Sequence, residues 1–138
     1  MLIEKTVLLI DDDEDDLELL QQALKAIDGN HATLQANDGI EGLKTLEKLL
    51  HQQKLPCLIV LDINMPKLDG KQTFLAIKSN EKLCHIPIVI FSTSTSLLDQ
   101  TFFDRHNTAY FVKPINLAGF AITASRMINA CYHRVSEE

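Results

Sequence analysis

Four consecutive aliphatic residues, Leu58-Ile59-Val60-Leu61, run directly into the carboxylate of Asp62, and the chain then turns through Asn64-Met65-Pro66-Lys67-Leu68-Asp69-Gly70. A run with no polar face suits a strand buried on both sides, as in a parallel sheet covered by helices. The strand ends where the acid begins, and in open α/β sheets ligands bind at the carboxyl ends of the strands. Taken alone, Asp62 reads equally well as a turn cap, because Asp commonly bonds its own backbone at turns.

The same apolar-run pattern recurs along the chain. Val7-Leu8-Leu9-Ile10 leads into six successive acids, Asp11 to Asp16, after which Leu17, Leu20, Leu24 and Ile27 repeat at helical spacing. Glu14, Asp15 and Asp16 fit a solvated first helical turn favoured by the helix dipole. Asp11 and Asp12 instead fall at a strand end, where adjacent carboxylates repel unless a cation lies between them. Gly29-Asn30 is expected to close the first helix, and Ala32 to Ala36 forms a weak, partly polar strand suited to an edge. Asn37-Asp38-Gly39 turns into a helix carried by Leu43, Leu46 and Leu50, which runs out near Gln53 ahead of Pro56.

Beyond Gly70, Phe74 and Ile77 mark a short third helix that ends before His85-Ile86-Pro87. Ile88-Val89-Ile90-Phe91 is a fourth strand running into the hydroxyl cluster Ser92-Thr93-Ser94-Thr95-Ser96. Leu97, Leu98, Phe102 and Phe103 suggest a fourth helix, ended by Arg105-His106-Asn107. Ala109 to Val112 is a fifth strand finishing at Lys113-Pro114. Leu117, Phe120, Ala124, Ile128 and Cys131 form the stripe of a long last helix.

Five strand-helix units predict an α/β, doubly wound, five-stranded parallel sheet with helices on both faces, since each right-handed crossover needs a helix to span it. Of the common doubly wound orders, the flavodoxin-like 2-1-3-4-5 fits five strands and places its crevice between the first and third. The 138 residues suit a single domain, 1–138, with no output domain expected. A net charge of −6 argues against capture of nucleic acid or anionic membrane by bulk electrostatics. Cys57, Cys84 and Cys131 include no Cys-x-x-Cys pair, so buried reduced thiols are expected. Without a signal-peptide core or a run of membrane-spanning length, the expected location is the cytoplasm.

This order sets Asp11 and Asp12 beside Asp62, with Ser92 on its other flank and Lys113 one strand further out. Two carboxylates about 4 Å apart repel by roughly 4 kcal/mol at an effective dielectric near 20, so three require positive charge among them. Lys113 supplies one charge, and a hard divalent cation, Mg²⁺ by preference, suits the remainder. An ion pair of purely structural purpose is compatible with the same placement. The constellation suits phosphoryl transfer to Asp62, with Lys113 and Ser92 donating to the phosphoryl oxygens. No glycine-rich phosphate loop is present, which points to a phosphorylated protein or small phosphodonor.

The motifs Leu9-Ile10-Asp11-Asp12, Leu61-Asp62-Ile63-Asn64-Met65-Pro66 followed by Asp69-Gly70, Ser92-Thr93, and Phe111-Val112-Lys113-Pro114-Ile115 together resemble the receiver domain of two-component response regulators, over essentially the whole chain. The resemblance implies that Asp62 is the phospho-acceptor. It implies too that Asp12, Asp62 and the backbone carbonyl of Asn64 bind Mg²⁺, with Asp11 assisting through water. It further implies that Ser92 and Tyr110 are the switch pair, that Lys113 binds phosphate, and that the Lys113-Pro114 peptide is cis. A sensor histidine kinase or histidine phosphotransfer protein is then the phosphodonor, and a protein target docks on the face of the fourth helix, fifth strand and fifth helix. The chain departs from the family at His106-Asn107-Thr108-Ala109, where Asn107 is expected to supply the left-handed conformation of a glycine. The segment from Ser92 to Lys113 is short, which leaves the fourth helix's length open.

Two other readings remain. A phosphohydrolase with an aspartyl nucleophile usually needs a general acid two residues on, where this chain has Asn64. A receiver-like binding module without phosphorylation would have no use for the filled chemical positions. No enzymatic turnover is expected beyond the protein's own phosphorylation and slow dephosphorylation.

Overall fold

The computed structural model describes residues 5–27 and 31–136. In chain order the elements are β1 (Lys5–Ile10), α1 (Glu14–Ile27), β2 (His31–Ala36), α2 (Gly39–His51), β3 (Leu58–Leu61), α3 (Gly70–Lys78), β4 (Ile88–Ser92), α4 (Leu97–Arg105), β5 (Ala109–Val112) and α5 (Leu117–Ser136). All neighbouring strands pair in parallel in the order β2-β1-β3-β4-β5, as the strand-helix alternation predicts.

Within each inner strand, alternate aliphatic residues serve opposite faces. Leu8, Ile10, Ile59, Leu61, Ile88 and Ile90 pack under α2, α3 and α4 with Leu46, Phe74, Ile77 and Phe103. Val7, Leu9, Leu58, Val60, Val89 and Phe91 pack under α1 and α5 with Leu17, Leu20, Leu24, Phe120, Ala124 and Ile128. Two cores on one sheet explain why these strands carry no polar alternation. β2 is an edge strand, and its middle residues are open to solvent.

The closing turns of the helices follow local chemistry. α3 begins with a capping box in which the Asp69 carboxylate accepts from the Gln72 N–H and the Gln72 side chain accepts from the Asp69 N–H. α4 spans nine residues, and Asn107 after it adopts a φ of 53°, the left-handed conformation expected of it. The Gly29-Asn30 closure of α1 and the Cys131 side chain lie outside the described residues. Val135 and Ser136 belong to α5. The expectation of reduced thiols is corrected at Cys57, which is disulfide-bonded; Cys84 is free. Sequence spacing detects only local Cys pairs, whereas bonding is decided by tertiary approach.

Gly70 positions the loop after β3. Its N–H donates to the Ile63 carbonyl at 2.8 Å, closing the turn. A Cβ at this position would lie 2.5 Å from Ile63 Cα and would collide with the carbonyl oxygen of Asp62. Gly70→Ala is expected to lower stability by roughly 1–3 kcal/mol through overpacking, seen as a lower urea midpoint with an unchanged slope.

Candidate functional site

The carboxyl ends of β1, β3, β4 and β5 converge at one edge of the sheet, and backbone bonds fix their relative heights. Asp11 N–H donates to Ala36 O at 3.0 Å, Asp62 N–H to Ile10 O at 3.0 Å, and Lys113 N–H to Ser92 O at 2.8 Å. Asp11, Asp12 and Asp62 each bring a carboxylate oxygen within 4.8 Å of the others. Asp11 and Asp62 are buried while Asp12 faces solvent. Three hard oxygen donors in one cluster suit a hard divalent cation that retains some of its waters.

The Asp62 carboxylate is oriented from both sides. One oxygen accepts the Ile63 N–H at 2.8 Å, and the other lies 3.5 Å from Lys113 Nζ. Lys113 is buried, and its ammonium makes closer pairs with Asp11 Oδ2 at 2.7 Å and Asp16 Oδ2 at 2.7 Å. The Lys113 ammonium also lies 5.8 Å from the centre of the Phe91 ring. Asp11 additionally accepts the Asp13 N–H at 3.0 Å. Asp13 in turn caps α1 by accepting from the N–H groups of Asp15 and Asp16.

Three carboxylates, those of Asp11, Asp16 and Asp62, thus face one ammonium. Burial pushes the Asp11 carboxyl up from 3.8 to about 7, with the Asp62 charge adding to the push and the hydrogen bond from Lys113 opposing it. For Lys113, burial acts to lower the pKa, but hydrogen bonds to Asp11 and Asp16 outweigh it and the net shift is upward. The ammonium therefore stays charged, and the crowding of negative charge is relieved at Asp11, whose neutral form is favoured.

A second polar network adjoins this one at the end of β4. Ser92 is fully buried, and its hydroxyl accepts the Ser94 N–H at 3.2 Å. Tyr110 donates its hydroxyl to the Ser94 carbonyl at 2.8 Å, while its ring packs 6.1 Å from that of Phe103. Burial raises the pKa of the Tyr110 phenol. The Ser94 hydroxyl donates to Asp99 at 2.7 Å, and Asp99 pairs with Lys71 of α3 at 2.6 Å. Bonds from Lys71 and then Ser94 hold the Asp99 carboxyl below its ordinary value. Ser94 thereby joins Ser92, Tyr110, α4 and α3. Between the two networks lies a cleft lined by Asp12, Asn64, Met65, Pro66, Asp69, Lys71 and Asp99.

Residues 7–122 match the response regulator receiver domain family. The chain belongs to that family. It is 33% identical over 116 residues to the response regulator Rcp1 of Synechocystis, covering 82% of this chain and 79% of Rcp1. The phosphorylated cyanobacterial phytochrome response regulator RcpA superposes with a TM-score of 0.81 at 32% identity, covering 91% of this chain and 92% of RcpA. A Mn²⁺-bound form of Rcp1 superposes with a TM-score of 0.78 at 28% identity, covering 91% and 92%. The protein is a receiver domain of two-component systems, with an acidic pocket able to take a metal ion.

Of the residues singled out in the sequence, this receiver domain gathers Asp11, Asp12, Asp62 and Lys113 into one cluster. Ser92 and Tyr110 meet through Ser94, and Asn64 stands at the lip of the cleft. One expectation is corrected: the described residues contain no cis peptide, so the Lys113-Pro114 bond is trans. Trans is the lower-energy isomer by about 0.5–1 kcal/mol at X-Pro bonds, and Lys113 reaches the carboxylates from it. Sequence reasoning passed over Asp16, assigned to the solvated helix start, as well as Lys71 and Asp99. Asp16 could have been found from the fold order, since α1 and α5 share a face and the first turn of α1 must adjoin the end of β5.

Because its pKa is raised, Asp11 holds its proton more tightly folded than unfolded. Its contribution to stability is complete below about pH 4 and is lost as pH rises through about 7. Without divalent ions, the thermal midpoint of the wild type is expected to fall relative to Asp11→Asn across this window. Titration calorimetry should find Mg²⁺ or Mn²⁺ binding tighter at about pH 8 than at about pH 6, as the cation displaces that proton.

Proposed function

We propose that this receiver domain accepts a phosphoryl group on Asp62 from a histidine kinase or histidine phosphotransfer protein, and that phosphorylation changes a protein-docking face. The observation that carries the reading is Lys113 Nζ, buried and charged, 3.5 Å from an Asp62 carboxylate that shares its site with two further acids. Membership of the receiver family supports it. Similarity to a phytochrome response regulator and to a histidine kinase supports a donor of this class, and the location we propose is the cytoplasm. No helix of the described residues is long and apolar enough to cross a membrane.

In the transfer, an Asp62 oxygen attacks phosphorus in line with the donor's leaving atom. The new P–O bond forms as the donor's bond to phosphorus breaks, its electron pair leaving with the donor. The Ile63 N–H keeps the other Asp62 oxygen in place. Lys113 donates to the phosphoryl oxygens, and the Ser92 hydroxyl donates to one of them after releasing the Ser94 N–H. Asp12, Asp62 and the Asn64 carbonyl would hold Mg²⁺, with Asp11 acting through water. When bound, the ion supplies the positive charge that Lys113 alone cannot. Asn64 offers no proton to a leaving alcohol, so turnover of phosphate esters is slow.

Movement of Ser92 toward the phosphoryl group alters the Ser94 link, and with it the bonds to Tyr110 and Asp99. Conformational change then reaches α4 and β5. Leu97 and Leu98 of α4, Val112 of β5, Ile115 in the loop between β5 and α5, and Leu117 and Ile122 of α5 are all exposed, an apolar face suited to a partner. Phe103 belongs to the core instead, and the partly buried Phe102 packs against it.

Incubation with Mg²⁺ and acetyl phosphate, followed by intact mass spectrometry, is expected to add one phosphoryl group to the wild type and none to Asp62→Asn. Equal addition to both would refute the assignment of Asp62. A Lys113→Ala protein is expected to be phosphorylated roughly tenfold or more slowly.

A further inference from the structure

Asp16 has no place in the reaction just described, yet it makes one of the two shortest ion pairs of Lys113. Lys113 Nζ stands 2.7 Å from Asp16 Oδ2 but 3.5 Å from Asp62 Oδ2. An ammonium has three N–H donors, and Asp16 and Asp11 engage two of them at close range. Asp16 belongs to α1 and lies outside the cluster of three acids that would hold a cation. Its carboxylate is partly open, whereas Lys113 is buried.

We propose that Asp16 is a positioning residue that holds Lys113 back from the acceptor, so that the entering phosphoryl group must compete with Asp16 for the ammonium. The proposal rests on Asp62 being the phospho-acceptor. In the transfer the donor's bond to phosphorus breaks, a P–O bond to Asp62 forms, and Lys113 exchanges its pair with Asp16 for a phosphoryl oxygen. The third N–H can serve a phosphoryl oxygen only as Nζ closes its 3.5 Å separation from Asp62, and that approach draws the ammonium away from Asp16. In the phosphorylated protein Lys113 has already moved, so Asp16 weighs on phosphorylation and little on phosphate loss.

Asp16→Asn removes the charge and keeps the shape. Asp15→Asn removes an equal charge from the same helical turn; Asp15 has no contact with Lys113, so this variant controls for repulsion of an anionic donor and for the helix dipole. Asp16→Glu retains a carboxylate able to restore the pair. Time courses with Mg²⁺ and acetyl phosphate, read by intact mass spectrometry, give the second-order rate constant; removal of the donor then gives the phosphate lifetime. Asp16→Asn is expected to raise that rate constant roughly threefold or more over both wild type and Asp15→Asn while changing the lifetime less than about twofold. Asp16→Glu should return toward wild type. Should Asp16→Asn fail to fold, Asp16→Ser, a good residue for a first helical turn, is measured in its place with the same expectation. A rate unchanged, lowered or matched by Asp15→Asn overturns the proposal, as does a lifetime that shifts in step with the rate. A wild type that takes no phosphoryl group while remaining folded would instead overturn the assignment of Asp62.

Discussion

The ammonium of Lys113 is the interaction on which this site depends. It lies buried at the end of an edge strand, against carboxylates delivered by β1, α1 and β3. Without it, Asp11 and Asp62 would be two charges in a low-dielectric setting with nothing to offset them. With it, their repulsion is partly relieved, while burial first and the Asp62 charge second still raise the pKa of Asp11. Such a site is incomplete as it stands, since negative charge remains for a cation to neutralise. It is also responsive, because a phosphoryl group on Asp62 alters the anions among which the ammonium must choose.

The fold explains how groups so distant in sequence meet. Lys113 and Asp16 are separated by 97 positions, and they come together because the parallel sheet sets the ends of β1, β3, β4 and β5 along one edge while α1 and α5 cover the same face. The apolar runs at 7–10, 58–61 and 88–91 carry no polar residue, so the chemistry of β1, β3 and β4 is confined to their carboxyl ends. Gly70 and the Asp69-Gln72 capping box hold the loop after β3 close against Asp62, which gives the acceptor a fixed backbone. The β4–α4 loop is built differently. Ser94 connects Ser92, Tyr110, Asp99 and, through Asp99, Lys71. A change at one of these bonds therefore reaches two helices.

Much of this was legible in the sequence for a physical reason: strands buried on both faces must be continuously apolar, so Leu58 to Leu61 and Ile88 to Phe91 announced themselves and fixed where their terminal polar residues would lie. The order 2-1-3-4-5 then placed Asp11, Asp12, Asp62, Ser92 and Lys113 together. The left-handed Asn107 was legible from the glycine the family often carries there and from asparagine's tolerance of that conformation. Contacts that depend on tertiary approach were not. Asp16 looked like any acid in a first helical turn, and its pair with Lys113 exists only because two helices share a face. The Lys71-Asp99-Ser94 chain joins three segments with no common periodicity, and the bond at Cys57 is likewise made by folding. The isomer at Lys113-Pro114 could not be read from residue type, since proline permits both.

The most direct test of the central place of Lys113 is a crystal structure of the protein with Mg²⁺ and beryllofluoride, a stable mimic of the phosphoryl group. The expected result is beryllofluoride on Asp62, Lys113 Nζ within hydrogen-bond distance of a fluoride, and the pair with Asp16 broken or lengthened. Beryllofluoride bound to Asp62 with Lys113 still paired to Asp16 and turned away from the fluorides would contradict it.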